Sequence, residues 1–80
     1  MTDREQLLQR ITVNPKLMVG KPTIRGMRIT VEQILNALAA GRTFDDLHAD
    51  YPMLEKEDIA ACLYYAGELV EHERVFNLNS

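Results

Sequence analysis

The stretch IRGMRITVEQILNALAAGRT, residues 24–43, carries the start and stop signals of one helix. Thr30 and Gln33 have the spacing of a capping box, in which the threonine hydroxyl accepts from the N3 amide and the N3 side chain bonds the cap. Gly41 suits the left-handed residue that ends many helices. The stretch therefore predicts a helix that begins after Thr30 and ends before Gly41. Its core-facing side chains are Ile34, Leu35 and Leu38.

Two further helices follow. Thr43 and Asp46 form a second capping signature for a short helix, about residues 44–49, which Pro52 closes because the residue before proline avoids helical geometry. The longest helix is predicted over residues 56–71. An apolar stripe marks its core face: Ile59, Cys62, Leu63, Ala66, Leu69 and Val70. Three helices in this order are typical of helix-turn-helix and homeodomain-like proteins.

The N-terminal third has a different pattern. Residues 3–10, DREQLLQR, predict a short helix capped by Thr2, and ITVNP is a β-prone segment. Residues 23–24 and 27–29 predict two extended pieces around Arg25-Gly26, where glycine can take a positive φ. Alternation turns the isoleucines and Met27 toward apolar neighbours and leaves the arginines on the opposite side.

The predicted fold is therefore mainly α: a three-helix, homeodomain-like bundle with a short N-terminal β-ribbon. We expect residues 1–80 to form one domain, because so short a chain cannot divide its buried surface between two cores. The ribbon segment is predicted at about residues 11–30, the helical core at 31–71 and a last segment at 72–80.

Composition narrows the possible functions. The net charge is −3, no apolar run is long enough to span a membrane, and Cys62 is the one cysteine. His48 and His72 have no partner at ligand spacing, and no nucleophile is paired with a base. We therefore expect no membrane association, metal, cofactor or enzymatic activity, and a cytoplasmic location. Cys62 is interpreted as a small core residue.

The basic ribbon is a candidate nucleic-acid site. Residues 10–30 contain five basic side chains and no acidic one, and Lys21, Arg25 and Arg28 could follow a phosphate backbone or reach base edges. The alternative is that these side chains bridge to acidic residues of the same or a second subunit. The start of the third helix is a poor DNA reader, since three acids there would face phosphate: Glu55, Glu57 and Asp58.

A candidate protein interface lies further along the chain. Small residues around Tyr64 (Ala60, Ala61 and Gly67) are predicted on the outer face of the third helix, where another helix could approach closely. Residues 73–80, ERVFNLNS, add Val75, Phe76 and Leu78, which have no obvious place in a three-helix core. We predict that these three side chains and Tyr64 bind a partner; the alternative is that the segment folds back over its own domain.

Two motifs make the chain recognisable: GKPTIRGMRI at residues 20–29, and YPML followed by EDI at 51–54 and 57–59. With the intervening apolar helix, this pattern resembles the small prokaryotic proteins of domain-of-unknown-function family 433, over about residues 11–69. Two positions depart from that pattern: Met27 stands where threonine is frequent, and Glu55 where a serine or threonine cap is usual.

The resemblance implies a homeodomain-like fold with an added β-ribbon. It also implies an antitoxin role in a toxin-antitoxin pair, with a PIN-like ribonuclease as the toxin. We therefore expect an antitoxin-type regulator that forms a homodimer, neutralises such a ribonuclease and binds its own promoter DNA through the ribbon. Two alternatives stay open, a stand-alone DNA-binding transcription regulator and a protein-protein adaptor.

Overall fold

A computed structural model describes residues 3–72. The elements are α1 (Arg4–Leu8), β1 (Ile11–Thr12), a single 3-10 turn (Met18–Gly20), β2 (Thr23–Ile24), α2 (Val31–Ala39), α3 (Phe44–Asp50) and α4 (Lys56–His72). The mainly helical architecture with a short N-terminal ribbon is confirmed, and α2, α3 and α4 are the three predicted helices.

Helix starts follow the capping signals in the sequence. The hydroxyl of Thr30 accepts from the Gln33 amide and the Gln33 side chain accepts from the Thr30 amide, at 3.0 and 2.9 Å. Thr43 and Asp46 form the same reciprocal pair at α3. The stop after α2 is also confirmed, because Gly41 has a φ of +89°. Thr2 was predicted to cap α1, and this was wrong. The cap is Asp3, whose carboxylate accepts from the Gln6 amide at 2.9 Å.

The ribbon pairs differently from a simple hairpin. The predicted turn exists, since the Met27 amide donates to the Ile24 carbonyl at 2.8 Å. However, β2 pairs in antiparallel fashion with β1, with Ile11 opposite Ile24. Residues 27–29 contribute no strand, and the return arm makes only an isolated bridge between Thr23 and Thr30. The ribbon therefore ties the start of the chain to the turn just before α2.

One apolar cluster joins the ribbon to the helices. Its buried members are Ile24, Ile29, Val31, Ile34, Leu47, Leu54 and Cys62, and Met27, Leu35 and Leu38 pack against it. The predicted inward orientation of Ile24, Met27 and Ile29 is thus confirmed. Cys62 lies in this core, where burial and the charge of Asp58 raise the pKa of its thiol to about 12. That thiol therefore stays protonated, as a core residue would.

The inward face of α4 was predicted only in part. Cys62 is buried and Ile59 packs on the core, but Leu63, Leu69 and Val70 are 54%, 58% and 69% exposed. Conversely Ala61, predicted on the outer face, is fully buried. The stripe was wrong because it assumed a core along the whole helix, whereas the buried residues of α4 are Asp58, Ala61 and Cys62, all in its first half.

Candidate functional site

A buried carboxylate lies where the ribbon meets α4. Asp58, in the first turn of α4, is fully buried. The Arg25 guanidinium donates to both of its oxygens, at 3.0 and 2.8 Å. Arg10 donates to one of these oxygens at 3.0 Å and to the Glu55 carboxylate at 2.7 Å. Two arginines from the N-terminal third therefore converge on one acid of α4, a group that we call the Asp58 clamp.

The clamp also completes the start of α4. Glu55 precedes the helix in the position where a serine or threonine would cap it, but its carboxylate bonds Arg10 instead. The Glu55 amide donates to Asp58 at 2.8 Å, so an acid at N3 satisfies a free backbone donor. Asp58 therefore supplies the N3 half of a capping box, without the half that a serine or threonine at position 55 would add.

Electrostatics favour the charged form of Asp58. Burial disfavours a carboxylate and would raise its pKa, but hydrogen bonds from Arg25, the Glu55 amide and Arg10 outweigh that effect. The net result is a lowered pKa for Asp58 and a raised pKa for Arg25, mainly through their shared hydrogen bonds. Removing Asp58 would take the shared acceptor away from both guanidinium groups, and breaking a buried pair typically costs about 3–5 kcal/mol.

The Arg25 backbone is held in an unusual conformation. Its φ is +47° and that of Gly26 is +73°, the combination that defines a type I′ turn. Glycine accepts such geometry freely, but a side chain at the first of these positions is uncommon. Four hydrogen bonds stabilise the arginine there. Its guanidinium makes two to Asp58 and one to the Met53 carbonyl at 2.8 Å, and its backbone amide donates to the Arg10 carbonyl at 2.7 Å.

The three predicted nucleic-acid residues differ in whether they are already paired with an acid. Arg25 is engaged in the clamp, and Lys21 forms an exposed ion pair with Glu32 at 2.7 Å. Within residues 3–72, Arg28 is exposed and forms no ion pair. The alternative of intramolecular bridges therefore describes Arg25 and Lys21. At the start of α4, Glu55 is paired and Asp58 points inward, so the repulsion of DNA expected there is smaller than the sequence indicated.

An exposed apolar surface runs along the second half of α4. Leu63, Tyr64 and Val70 are 54%, 43% and 69% exposed. Leu63 and Val70 lie on one face of the helix, since Gly67 stands four residues after the first and three before the second, and Tyr64 borders that face. With Arg4, they line an open groove of about 750 Å³, whose other lining residues are Ala60, Ala66, Gly67 and Glu71. We call this surface the α4 groove. It contains Tyr64, Ala60 and Gly67 from the predicted interface, and Leu63 and Val70 were missed because they were assigned to the core.

Ion pairs at one side of the α4 groove join it to α1. Arg4 pairs with Glu68 and, at 3.1 Å, with Glu71, while its guanidinium lies 5.7 Å from the centre of the Tyr64 ring. Hydrogen bonding and the two acids raise the pKa of Arg4. The groove therefore has an apolar floor and a charged rim, as protein interfaces do.

Gly67 lies in the middle of the groove floor. A Cβ at this position would meet nothing within 4 Å, and no positive φ requires glycine there. Glycine inside a helix costs about 0.5–1 kcal/mol relative to alanine. The fold of residues 3–72 gives no reason for this cost, so the space above Gly67 suits the close approach of another group.

A small cluster of possible metal ligands adjoins the groove. The oxygens of Glu68 and Glu71 and a ring nitrogen of His72 lie within 4.8 Å of one another, on partly or fully exposed side chains. Both carboxylates already pair with Arg4, whose positive charge opposes cation binding. We assign no metal to this cluster. Across residues 3–72, no helix has the length and apolar character needed to cross a bilayer.

The remaining predicted interface residues, Val75, Phe76 and Leu78, lie outside the described residues. Their assignment stays a prediction, as do the boundaries of the last segment and the nucleic-acid role of the ribbon. The clamp was not predicted as a unit. Two features of the sequence could have indicated it: the excess of arginine before residue 30, and an acid, Asp58, on the inner side of the last helix.

This arrangement defines a small helical bundle with an N-terminal β-ribbon, and known proteins share it. A crystal structure of a DUF433 member protein from Anabaena variabilis ATCC 29413 superposes with a TM-score of 0.72 and 32% identity, covering 84% of this chain and 67% of that one. Residues 11–66 match the family described as "Protein of unknown function (DUF433)". The chain belongs to this family.

A curated relative is longer. The uncharacterized protein y4eO of Sinorhizobium fredii (strain NBRC 101917 / NGR234) is 31% identical in a match that covers 82% of this chain. The chain spans 31% of the length of that relative. In that relative, the matching region is therefore accompanied by further sequence.

Proposed function

We propose that the protein is an antitoxin-type binding protein whose α4 groove binds a protein partner. The single observation that carries this proposal is the exposed apolar face formed by Leu63, Tyr64 and Val70, with open space beside Gly67. Exposed apolar side chains in one contiguous patch are typical of interaction sites, whereas single ones are common on any surface.

The class of partner comes from the family resemblance. A PIN-like ribonuclease toxin would present an apolar surface to the groove and polar groups to the rim of Arg4, Glu68 and Glu71. Tyr64 is the expected anchor, because aromatic side chains dominate interface energetics and its ring packs beside a guanidinium. Val75, Phe76 and Leu78 would extend the same interface. The expected homodimer stays a prediction.

Co-expression tests this proposal. A PIN-like ribonuclease from the same genome should stop growth of a bacterial host, and the intact chain should restore it. Leu63→Glu should abolish the rescue, since binding of the ribonuclease would bury a carboxylate on the groove floor without an opposite charge to pair with it. Val13→Glu is the matched control, because Val13 is also apolar and 60% exposed but lies outside the groove. Equal rescue by wild type and Leu63→Glu would refute the assigned surface.

DNA binding is a second candidate, and the exposed state of Arg28 favours it. Lys21 could join Arg28, since its pair with Glu32 is exposed and such pairs contribute about 0–1 kcal/mol. Arg25 could join them only by giving up both of its hydrogen bonds to the buried Asp58 carboxylate, which would then keep Arg10 as its one arginine partner. If the ribbon binds promoter DNA, Arg28→Ala should weaken binding and reduce its salt dependence without loss of folding. A salt-independent interaction, or one that Arg28→Ala leaves unchanged, would exclude the ribbon as the DNA contact.

A further inference from the structure

The α4 groove is open next to the point where the described chain ends. It is lined by residues up to Glu71, and the described part of α4 reaches His72. The next eight residues include Val75, Phe76 and Leu78. An apolar groove and an apolar segment are therefore adjacent in the same molecule.

We propose that the 73–80 segment occupies the α4 groove of its own chain when no partner is bound. In this arrangement Phe76 covers Gly67 and Leu78 lies against Leu63 and Tyr64. The inference deepens the proposed function and rests on it for its biological meaning, because the segment would cover the face that we assign to the partner. A partner would then have to displace the segment before it could bind.

The lengths of chain and groove agree. A helix rises about 1.5 Å per residue, so Gly67 lies about 7.5 Å before His72 along the axis. An extended chain gains about 3.3 Å per residue, so the four residues from His72 to Phe76 span at most about 13 Å. That length allows the chain to reverse direction after α4 and bring Phe76 beside Gly67.

The spacing of the apolar residues also agrees. Phe76 and Leu78 are two residues apart, so an extended segment presents both on one side, about 6.6 Å apart. Gly67 and Leu63 are four residues apart on α4, or about 6 Å along its axis. Both apolar side chains of the segment can therefore meet the groove at the same time.

Gly67 explains why an aromatic ring fits at this point. Apart from its sequence neighbours and the backbone of its own helix, no atom of residues 3–72 lies within 4 Å of a Cβ placed there, so a ring can contact the helix backbone directly. Leu63 and Val70, on neighbouring turns of the same face, would form the sides of that contact. An apolar ring placed there would remove exposed apolar surface from water, which is favourable.

Attachment to the same chain favours this occupant over a second copy. A short flexible linker holds a tethered segment at an effective concentration of roughly the millimolar range. A second copy or its segment would have to reach that concentration in solution to compete. A contact made by only two apolar side chains is nevertheless weak enough for a well-matched partner to displace it.

Fluorescence of a single tryptophan tests the proposal without a partner. The chain contains no tryptophan, so Phe76→Trp introduces one selectively excitable probe into the full chain. We expect blue-shifted emission and several-fold protection from iodide quenching, both independent of protein concentration. In the Phe76→Trp background, Leu63→Glu and Gly67→Leu should shift the emission to the red and remove the protection.

Matched controls separate docking from unfolding. Val13→Glu adds the same charge outside the groove, and Ala39→Leu adds similar bulk, one carbon less than Gly67→Leu, at another exposed helical position. Both should leave the emission unchanged. Circular dichroism should show that each variant stays folded. Solvent-exposed emission at all concentrations, or protection that disappears on dilution, would overturn the proposal, the latter by assigning the groove to a second copy. Because no partner is present, this failure is distinct from a failure of the co-expression test.

Discussion

The Asp58 clamp makes a quantitative prediction about stability. Asp58→Asn preserves the size of the side chain but removes the charge that two arginines share, at distances of 2.8–3.0 Å. Both guanidinium groups would then face a neutral acceptor at a fully buried position. Breaking a buried pair costs about 3–5 kcal/mol. We expect the lower end of that range, about 3 kcal/mol, because both guanidinium groups are partly exposed to water, Arg10 keeps its pair with Glu55, and an amide oxygen still accepts.

That loss is large for a domain of this size. Stabilities of about 0.05–0.15 kcal/mol per residue predict roughly 4–12 kcal/mol for the whole chain. A loss of about 3 kcal/mol should lower Tm by at least about 12 °C, since 1 kcal/mol corresponds to roughly 4–8 °C in domains of 60–100 residues. Urea unfolding followed by circular dichroism gives the change in the free energy of unfolding directly.

Glu57→Gln provides the matched control. It removes one negative charge from the adjacent position in the same helical turn, but Glu57 is exposed. We expect its effect on the free energy of unfolding to stay within about 0.5 kcal/mol. If Asp58→Asn costs less than about 1 kcal/mol, or no more than Glu57→Gln, the clamp does not hold the ribbon to α4 and our account of Arg25 is wrong.

Three further predictions address the clamp, the cap of α2 and the groove glycine. The pKa of Asp58 is lowered in the folded state. The stability that its charge contributes is therefore present above the unfolded pKa of about 3.9 and is lost as pH falls through the folded pKa. The difference in unfolding free energy between wild type and Asp58→Asn should shrink in urea titrations below about pH 4. Thr30→Ala should cost about 1 kcal/mol in the same assay, since it removes the buried hydroxyl that accepts from Gln33; a change near zero would contradict the capping role. Gly67→Ala should not destabilise helix α4 itself, because its Cβ meets nothing within 4 Å, but it should weaken partner binding measured by calorimetry; unchanged binding would show that nothing approaches Gly67 closely.

The local signals of the sequence were sufficient for the helices. The caps at Thr30 and Thr43 and the stop at Gly41 act over a few residues, so their geometry follows from short-range chemistry. The cap of α1 was misplaced by one residue, because Thr2 and Asp3 are both good capping residues and the sequence does not rank them.

Long-range pairing was not predictable in the same way. Nothing local indicates that β2 pairs with residues 11–12, or that Arg10 and Arg25 meet at Asp58, 48 and 33 residues further along the chain. The exposed half of α4 was assigned to the core because periodicity identifies an apolar face but not what covers it. Leu63 and Val70 were therefore not recognised as part of the candidate site. Only the tertiary structure shows that they are exposed whereas Cys62, on the same predicted stripe, is buried.

The most direct test of the proposed function is an equilibrium binding measurement. The intact chain and the purified PIN-like ribonuclease would be titrated by calorimetry, with Leu63→Glu and Val13→Glu as the paired variants. We predict a stoichiometric complex with wild type and with Val13→Glu, and a loss of at least about tenfold in affinity, or about 1.4 kcal/mol, for Leu63→Glu. Absence of binding by the wild-type chain, or equal affinity of all three proteins, would contradict the assignment of the α4 groove as the partner site.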